Sequence, residues 1–372
     1  LGIGIPVEYD NFFETEGDWN NPNNWSTREI PSTEQNVLLM APATVSSGTI
    51  AYANSITTFY GQGSITIADG GQVYCNTNFE GTIEKNIIGY GNGEANWYLI
   101  TIPHDKYESG GIVVTEVQNL IDEVDSNYDY YKFNPDYDGE EWRNYKCEDP
   151  NGTYMHRIQR TGILYANKNN VTLSYSGILN TNGVNLHFDF YSEITPFGKW
   201  NLIGNPMLCN AYFQDGRDFY RMNEEGDAIV LADDNNGGEA IKPCEGVFVL
   251  SNYAGEIGTI TSVPPTKKNY LDISLGMNKG ALCIDKARVR FNGGQMLEKL
   301  TLLANPNKLY FPCKGKDYAV VNASTIGEMP LNFEAAENGR YTISIDTKDV
   351  EMTYLHLIDN LTGNDIDLLE TP

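Results

Sequence analysis

Apolar residues along this chain fall into brief runs, such as Asn36-Val37-Leu38-Leu39-Met40, Gly63-Ser64-Ile65-Thr66-Ile67 and Gln72-Val73-Tyr74, cut by turn residues such as Asp69-Gly70-Gly71. Runs of this length, rich in Val, Ile, Thr and Tyr and bounded by Gly, Asn and Asp, predict strands and turns. The fold class is therefore all-β: tandem β-sandwich-like modules preceded by a short-strand segment that is either a β-solenoid or a small β-sandwich, since strand length alone does not separate those two. Ahead of these runs, the Asn/Pro cluster of Asp18-Trp19-Asn20-Asn21-Pro22-Asn23-Asn24-Trp25-Ser26 forces a turn. Its two tryptophans are read as a cap on the apolar end, in preference to a sugar-stacking pair. Helical spacing is found at Val117, Leu120, Ile121 and Val124, which predicts one short loop helix.

An internal repeat organises the middle. Trp97-Tyr98-Leu99-Ile100-Thr101-Ile102-Pro103 lies over Trp200-Asn201-Leu202-Ile203-Gly204-Asn205-Pro206, Tyr131-Lys132-Phe133-Asn134 over Tyr220-Arg221-Met222-Asn223, and Gly162-Ile163-Leu164-Tyr165 over Gly246-Val247-Phe248-Val249. Three landmarks in one order indicate duplication, with insertions in the longer first copy. In each copy the Trp-led strand ends at a proline, which lacks the N–H a ladder needs. The expected domains are 1–88, a short-strand β domain; 89–184 and 185–265, the two sandwich copies; and 266–372, an antiparallel sandwich that is expected to lack its last strand. Pro264-Pro265-Thr266-Lys267-Lys268 is the linker candidate, and the alternation in Tyr341-Thr342-Ile343-Ser344-Ile345 marks a half-exposed sheet beyond it.

Fifty acidic residues against twenty-five basic ones give a formal charge of −25 over 372 residues. Such a surface repels nucleic acid and anionic membranes and attracts cations. No apolar run approaches the length of a membrane span. The chain opens at Leu1 without Met, as a trimmed mature chain would. Cys75, Cys147, Cys209, Cys244, Cys283 and Cys313 include no CxxC pair, which argues against a structural zinc site.

Trp200 to Pro206 and Pro243 to Val249, with Gly17-Asp18-Trp19, Asn24-Trp25-Ser26 and the stretch Tyr354 to Gly363, resemble secreted surface proteins of Bacteroidota. Their modules carry a Trp-x-Leu-Ile-Gly-Asn-Pro strand. The resemblance implies export by the type IX pathway, display at the cell surface, and a terminal sandwich that ordinarily continues with further strands before a removable signal domain.

Motifs for catalysis are missing: no GxSxG elbow, HExxH helix, P-loop or dinucleotide fingerprint occurs, and the chain is read as non-enzymatic. For a metal, Asp136, Asp138 and Glu140 in Asp136-Tyr137-Asp138-Gly139-Glu140-Glu141, and Asp233 and Asp234 before the last landmark of the second copy, offer hard oxygen ligands to calcium, with a solvated acidic loop as the alternative. Tyr137 and Trp142, among these acids, are the candidate glycan-stacking residues. Cys209 aligns with Lys106 and Cys244 with Arg160, so both cysteines belong to one copy alone; a bridge between them is expected, closing a loop of about 35 residues for roughly 3–4 kcal/mol. Leu1, Ile3, Ile5 and Val7 alternate in an apolar leader suited to strand exchange, or to pairing within its own domain. The expected function is a secreted cell-surface adhesin or structural scaffold that meets a protein or a glycan. A head-to-tail filament subunit, joined as a homopolymer by strand complementation, and a glycan-binding protein are the alternatives.

Overall fold

The computed structural model describes residues 8–93, 96–101, 116–120, 124–136, 139, 141–144, 146, 162–191, 195–232, 238–265, 269–277, 283–291, 293–302, 306–323, 327–348 and 350–370. The chain is all-β, and its contacts divide it into two compact units: Leu1–Gln214 with Ala240–Pro264, and Asp215–Glu239 with Pro265–Pro372.

The first unit opens with eight short strands: β1 (Asn11–Phe13), β2 (Gly17–Asp18), β3 (Asn36–Leu39), β4 (Pro42–Val45), β5 (Ile50–Ala53), β6 (Ser55–Thr58), β7 (Ser64–Ile67) and β8 (Gln72–Cys75). All their pairings are parallel. β1, β3 and β6 form one stack, β2, β4 and β7 a second, β5 and β8 a third. Two successive coils, β3-β4-β5 and β6-β7-β8, visit the three stacks in turn, so the segment is a β-solenoid, and the open choice between solenoid and sandwich falls to the former. Alternation sends Val37, Leu39, Ala43, Val45, Ala51, Ala53, Ile65, Ile67 and Val73 inward, all buried. At one corner an asparagine ladder joins successive coils: Asn54 Nδ2 donates to Asn36 Oδ1 at 2.8 Å, and Asn76 Nδ2 to Asn54 Oδ1 at 2.9 Å. At another corner Gly63 is obligatory, because a Cβ there would lie 1.8 Å from the Leu39 carbonyl oxygen. Trp19 and Trp25 pack with ring centroids 4.8 Å apart, and Trp25 Nε1 donates to the Trp19 carbonyl at 2.9 Å. At 0% and 1% exposure they leave no ring face for a sugar, as the capping role requires.

Seven strands of the first module follow: β9 (Phe79–Ile87), β10 (Tyr98–Ile100), β11 (Glu116–Gln118), β12 (Tyr128–Phe133), β13 (Trp142–Asn144), β14 (Ile163–Asn167) and β15 (Val171–Leu179). β9, β15 and β11 make one sheet and β10, β14, β12 and β13 the other. The second copy has β16 (Val184–His187), β17 (Trp200–Gly204), β18 (Tyr212–Phe213), β19 (Tyr220–Met222), β20 (Ile229–Leu231), β21 (Gly246–Leu250) and β22 (Ile257–Thr261). Its pairings answer those of the first: β16–β22–β18 matches β9–β15–β11, β17–β21 matches β10–β14, and β19–β20 matches β12–β13. Duplication read from three sequence landmarks thus extends to seven strands.

Three expectations need correction. β9 lies before the boundary expected after residue 88 and pairs in parallel with β7, yet it also pairs along its whole length with β15 beyond that boundary, so one sheet runs across it. Asp215–Glu239, placed by sequence inside the second copy, clusters with the second unit instead. Val117 sits in strand β11 opposite Tyr175, not on a helix, because the ladder with β15 outweighs a local spacing that a few apolar residues produce by chance.

The two copies in the first unit touch reciprocally. Gly162 N–H donates to the Leu202 carbonyl at 3.0 Å, and Thr101 N–H to the Cys244 carbonyl at 3.0 Å. A Cβ on Gly162 would fall 2.8 Å from Leu202 Cγ, and one on Gly246 would fall 3.3 Å from Leu99 Cβ. Gly162 corresponds to Gly246 in the repeat, and Leu99 to Leu202. One contact is therefore made twice, as it would be across the two-fold axis of a dimer.

In the second unit the strands are β23 (Tyr270–Met277), β24 (Cys283–Arg290), β25 (Leu297–Glu298), β26 (Lys308–Cys313), β27 (Lys316–Asn322), β28 (Asn332–Glu334), β29 (Tyr341–Lys348), β30 (His356–Ile358) and β31 (Asp365–Asp367). The main sheet runs β28-β26-β27-β24-β23-β29, and β30 and β31 form a hairpin. The sheet is mixed and not wholly antiparallel as expected, since β24 and β27 pair in parallel. Leu271, Ile273, Leu275, Ala287, Val289, Leu309, Phe311 and Val321 form its core.

A buried ion cluster ties Asp215–Glu239 to this sheet. Arg288 donates from Nε and Nη2 to the two oxygens of Asp272 at 2.6 and 2.9 Å, and from Nη1 to Asp218 Oδ1 at 2.9 Å. Arg290 Nη2 donates to that same Asp218 oxygen and to the Gly216 carbonyl. The Tyr270 ring lies 3.9 Å from the Arg288 guanidinium carbon. Burial works to lower the Arg288 pKa, but the bond to Asp272 and the charge of Asp218 outweigh it and raise the pKa, so the guanidinium stays charged.

Candidate functional site

Where the two copies meet, their surfaces do not close completely, and a cavity of about 280 Å3 remains. Phe133 of β12, Trp200 and Leu202 of β17 and Leu186 of β16 line it and are buried, so its floor is apolar. Lys132, His187 and Asp189 also line it and are exposed, giving it a polar rim that carries the Lys132 and Asp189 charges. The ladder places these groups: Lys132 and Phe133 are neighbours on β12 and point to opposite faces, as do Leu186 and His187 on β16.

Asn201 is buried and fixes one side of the rim. Its Oδ1 accepts from Asp189 N–H at 2.7 Å while its Nδ2 donates to the Asp189 carbonyl at 3.0 Å. Near Asp189 lies Tyr191, whose phenol is held above its ordinary pKa by burial first, then by the negative charges of Asp189 and Asp136. This side of the rim is electronegative. Among the described residues the lining contains no Ser, Thr or Cys. The cavity offers apolar contact below, and hydrogen bonds and charge above.

Of the acidic candidates, Asp136 is exposed beyond β12. Asp138, Glu140, Asp233, Asp234 and Tyr137 lie outside the described residues, as do Leu1, Ile3, Ile5 and Val7. Among the described residues no three His, Cys, Asp or Glu side chains gather as metal ligands. Trp142 is half-buried on β13, edge-on to Phe133 at 5.6 Å and to Phe248 at 6.1 Å, so its ring takes part in packing between the copies.

The expected bridge between Cys209 and Cys244 is not formed. Both are free, buried thiols in separate surroundings: Cys209 hydrogen-bonds with the Tyr74 side chain, whereas Cys244 lies near Tyr175 of the first module and Lys85 of β9. Their joint presence in one copy reflects two packing sites and not one contact. Cys283 and Cys313 are free as well. Burial pushes the Cys209 thiol up to about 12, and burial likewise pushes Cys244 up to about 12. Both values lie above that of an unfolded thiol, roughly 8.5, so the stability linked to these groups is complete below that pH and is lost as pH rises toward 12. We expect both cysteines to resist alkylation at pH 8 until the chain unfolds, and the thermal midpoint to fall across this alkaline window. Peptide mapping after timed iodoacetamide labelling checks the first result, and melting at stepped pH the second.

Comparisons with protein-family models, with curated proteins and with solved structures find no match to this chain. Among the described residues no helix is long and apolar enough to cross a membrane.

Reading the sequence flagged Trp200 and Leu202 only as repeat landmarks and missed His187, Asp189 and Asn201. The signal for Asn201 was present: it is a polar residue in a strand whose other members are apolar, and such a residue is buried only if bonded.

Proposed function

We propose that this chain is a secreted, non-catalytic adhesin or scaffold displayed at a cell surface, exported as its resemblance to type IX cargo implies. The observation that carries this reading is the sheet shared by solenoid and first module, β11-β15-β9-β7-β4-β2. A continuous ladder leaves no hinge between them, and the reciprocal contact of the two copies adds a third block without a linker. Such a body holds loops at fixed separations, which suits presentation more than turnover. The charge of −25 keeps it soluble and apart from nucleic acid.

The test is retention under flow. Beads coated with the chain should bind epithelial layers or matrix-coated slides saturably, and the soluble chain should compete. Failure to bind any of these surfaces, or release of sugar or peptide fragments from the coat by the purified chain, counts against the proposal.

A filament subunit is the second reading. Among the described residues β29 is the terminal strand of its sheet, and its Ile343 and Ile345 are only half-buried, the edge a donated strand would use. Deleting Leu1 to Val7 should then abolish multimers and leave intact monomers; unchanged assembly rejects this reading.

A further inference from the structure

Duplication provides an internal comparison. In the first module, β9 has neighbours on both sides, β15 antiparallel and β7 parallel, with Ile83 opposite both Tyr175 and Ile67. Its counterpart β16 is the terminal strand of its sheet, with β22 on one side and no strand on the other among the described residues. Phe188 N–H donates to the Glu256 carbonyl on the β22 side at 2.9 Å. Main-chain groups alternate in direction along an antiparallel strand, so the N–H and C=O of His187 point away from β22. Two residues on, the outward groups of Asp189 are both held by the Asn201 amide, which there takes the part of a neighbouring strand.

The cavity lies beside this edge. Its volume of about 280 Å3 is below the roughly 300–1,000 Å3 of pockets that enclose a whole small molecule. It suits one or two side chains of something extended.

We propose that the β16 edge and the cavity beside it form a docking site for an extended peptide from another protein, with large apolar side chains at alternate positions and a lysine or arginine flank, added as a strand in the way that β7 adds to β9. Main-chain bonds to His187 supply pairing, and every second side chain faces the floor of Phe133, Leu186, Trp200 and Leu202. Asp189 on the rim, with Asp136 acting on the neighbouring Tyr191, favours a basic flank on that side, and Lys132 also lines the rim. This site rests on the reading of the chain as a binding protein, and it names one partner class.

The probe is fluorescein-labelled Lys-Ser-Ile-Thr-Ile-Lys, which reproduces Ser64–Ile67 between two lysines, titrated against the full chain by fluorescence anisotropy. Saturable binding is expected, weakened at least about tenfold when an alternate peptide nitrogen is methylated. His187→Pro removes the outward N–H and should lose binding with little change in thermal midpoint. Asp189→Lys should reverse the preference, favouring a glutamate-flanked peptide. No saturation into the millimolar range, or equal binding of the methylated peptide to the parent chain, overturns the proposal. Bead retention under flow remains a separate readout, so its persistence beside a failed peptide titration leaves the adhesin reading standing while this site falls.

Discussion

Replacing Asp218 with alanine should lower the stability of the second unit by about 3–5 kcal/mol, the largest loss expected from any single polar substitution here. Its Oδ1 accepts from both Arg288 and Arg290, and the three side chains are all nearly sealed from water. Without it Arg288 keeps Asp272, but Arg290 keeps only the Gly216 carbonyl among its cluster partners. The cost comes from a guanidinium left buried without its counter-charge. Urea unfolding followed by tryptophan fluorescence and circular dichroism checks this, since the second unit should then melt before the first. Asp218→Ala combined with Arg290→Met removes the stranded charge and should recover a large part of the loss. A loss below about 1 kcal/mol would show that water reaches the cluster.

Leu202→Ala should cost about 2–5 kcal/mol, because the side chain is buried where the copies meet. Gly162→Ala should cost about 1–3 kcal/mol, since its new methyl would press on Leu202 Cγ. Together the two changes should cost less than their sum: truncating the leucine removes the atoms that the methyl strikes. A double-mutant cycle by thermal or urea unfolding measures this coupling. Additive losses would mean that the reciprocal contact does not bear on stability.

The all-β class was legible because strand runs and their Gly and Asn corners are local signals. The copy boundaries were less so. Val117 showed a helical spacing that the β15 ladder overrode, and the boundary after residue 88 cut a shared sheet because nothing local marks that β9 will also join the distant β15. Asn36, Asn54 and Asn76 carried the solenoid period in plain view, yet asparagines at strand ends also read as ordinary turn residues. For the candidate site, Trp200 stood out through the repeat. His187 and Asp189 did not, because nothing local marks β16 as a sheet edge beside the cavity. The cysteine inference failed for a related reason: shared absence from one copy is evidence of shared history, not of shared position.

β9, the strand that carries the solenoid sheet into the first module, has as its antiparallel partner β15, encoded far downstream. A truncated product stopping near residue 88 would carry a naked strand margin able to recruit its own kind. Until translation reaches Leu179 the nascent solenoid stays unsealed, so expression fragments should retain everything through that residue, and a chaperone that shields strand margins would act on this early portion.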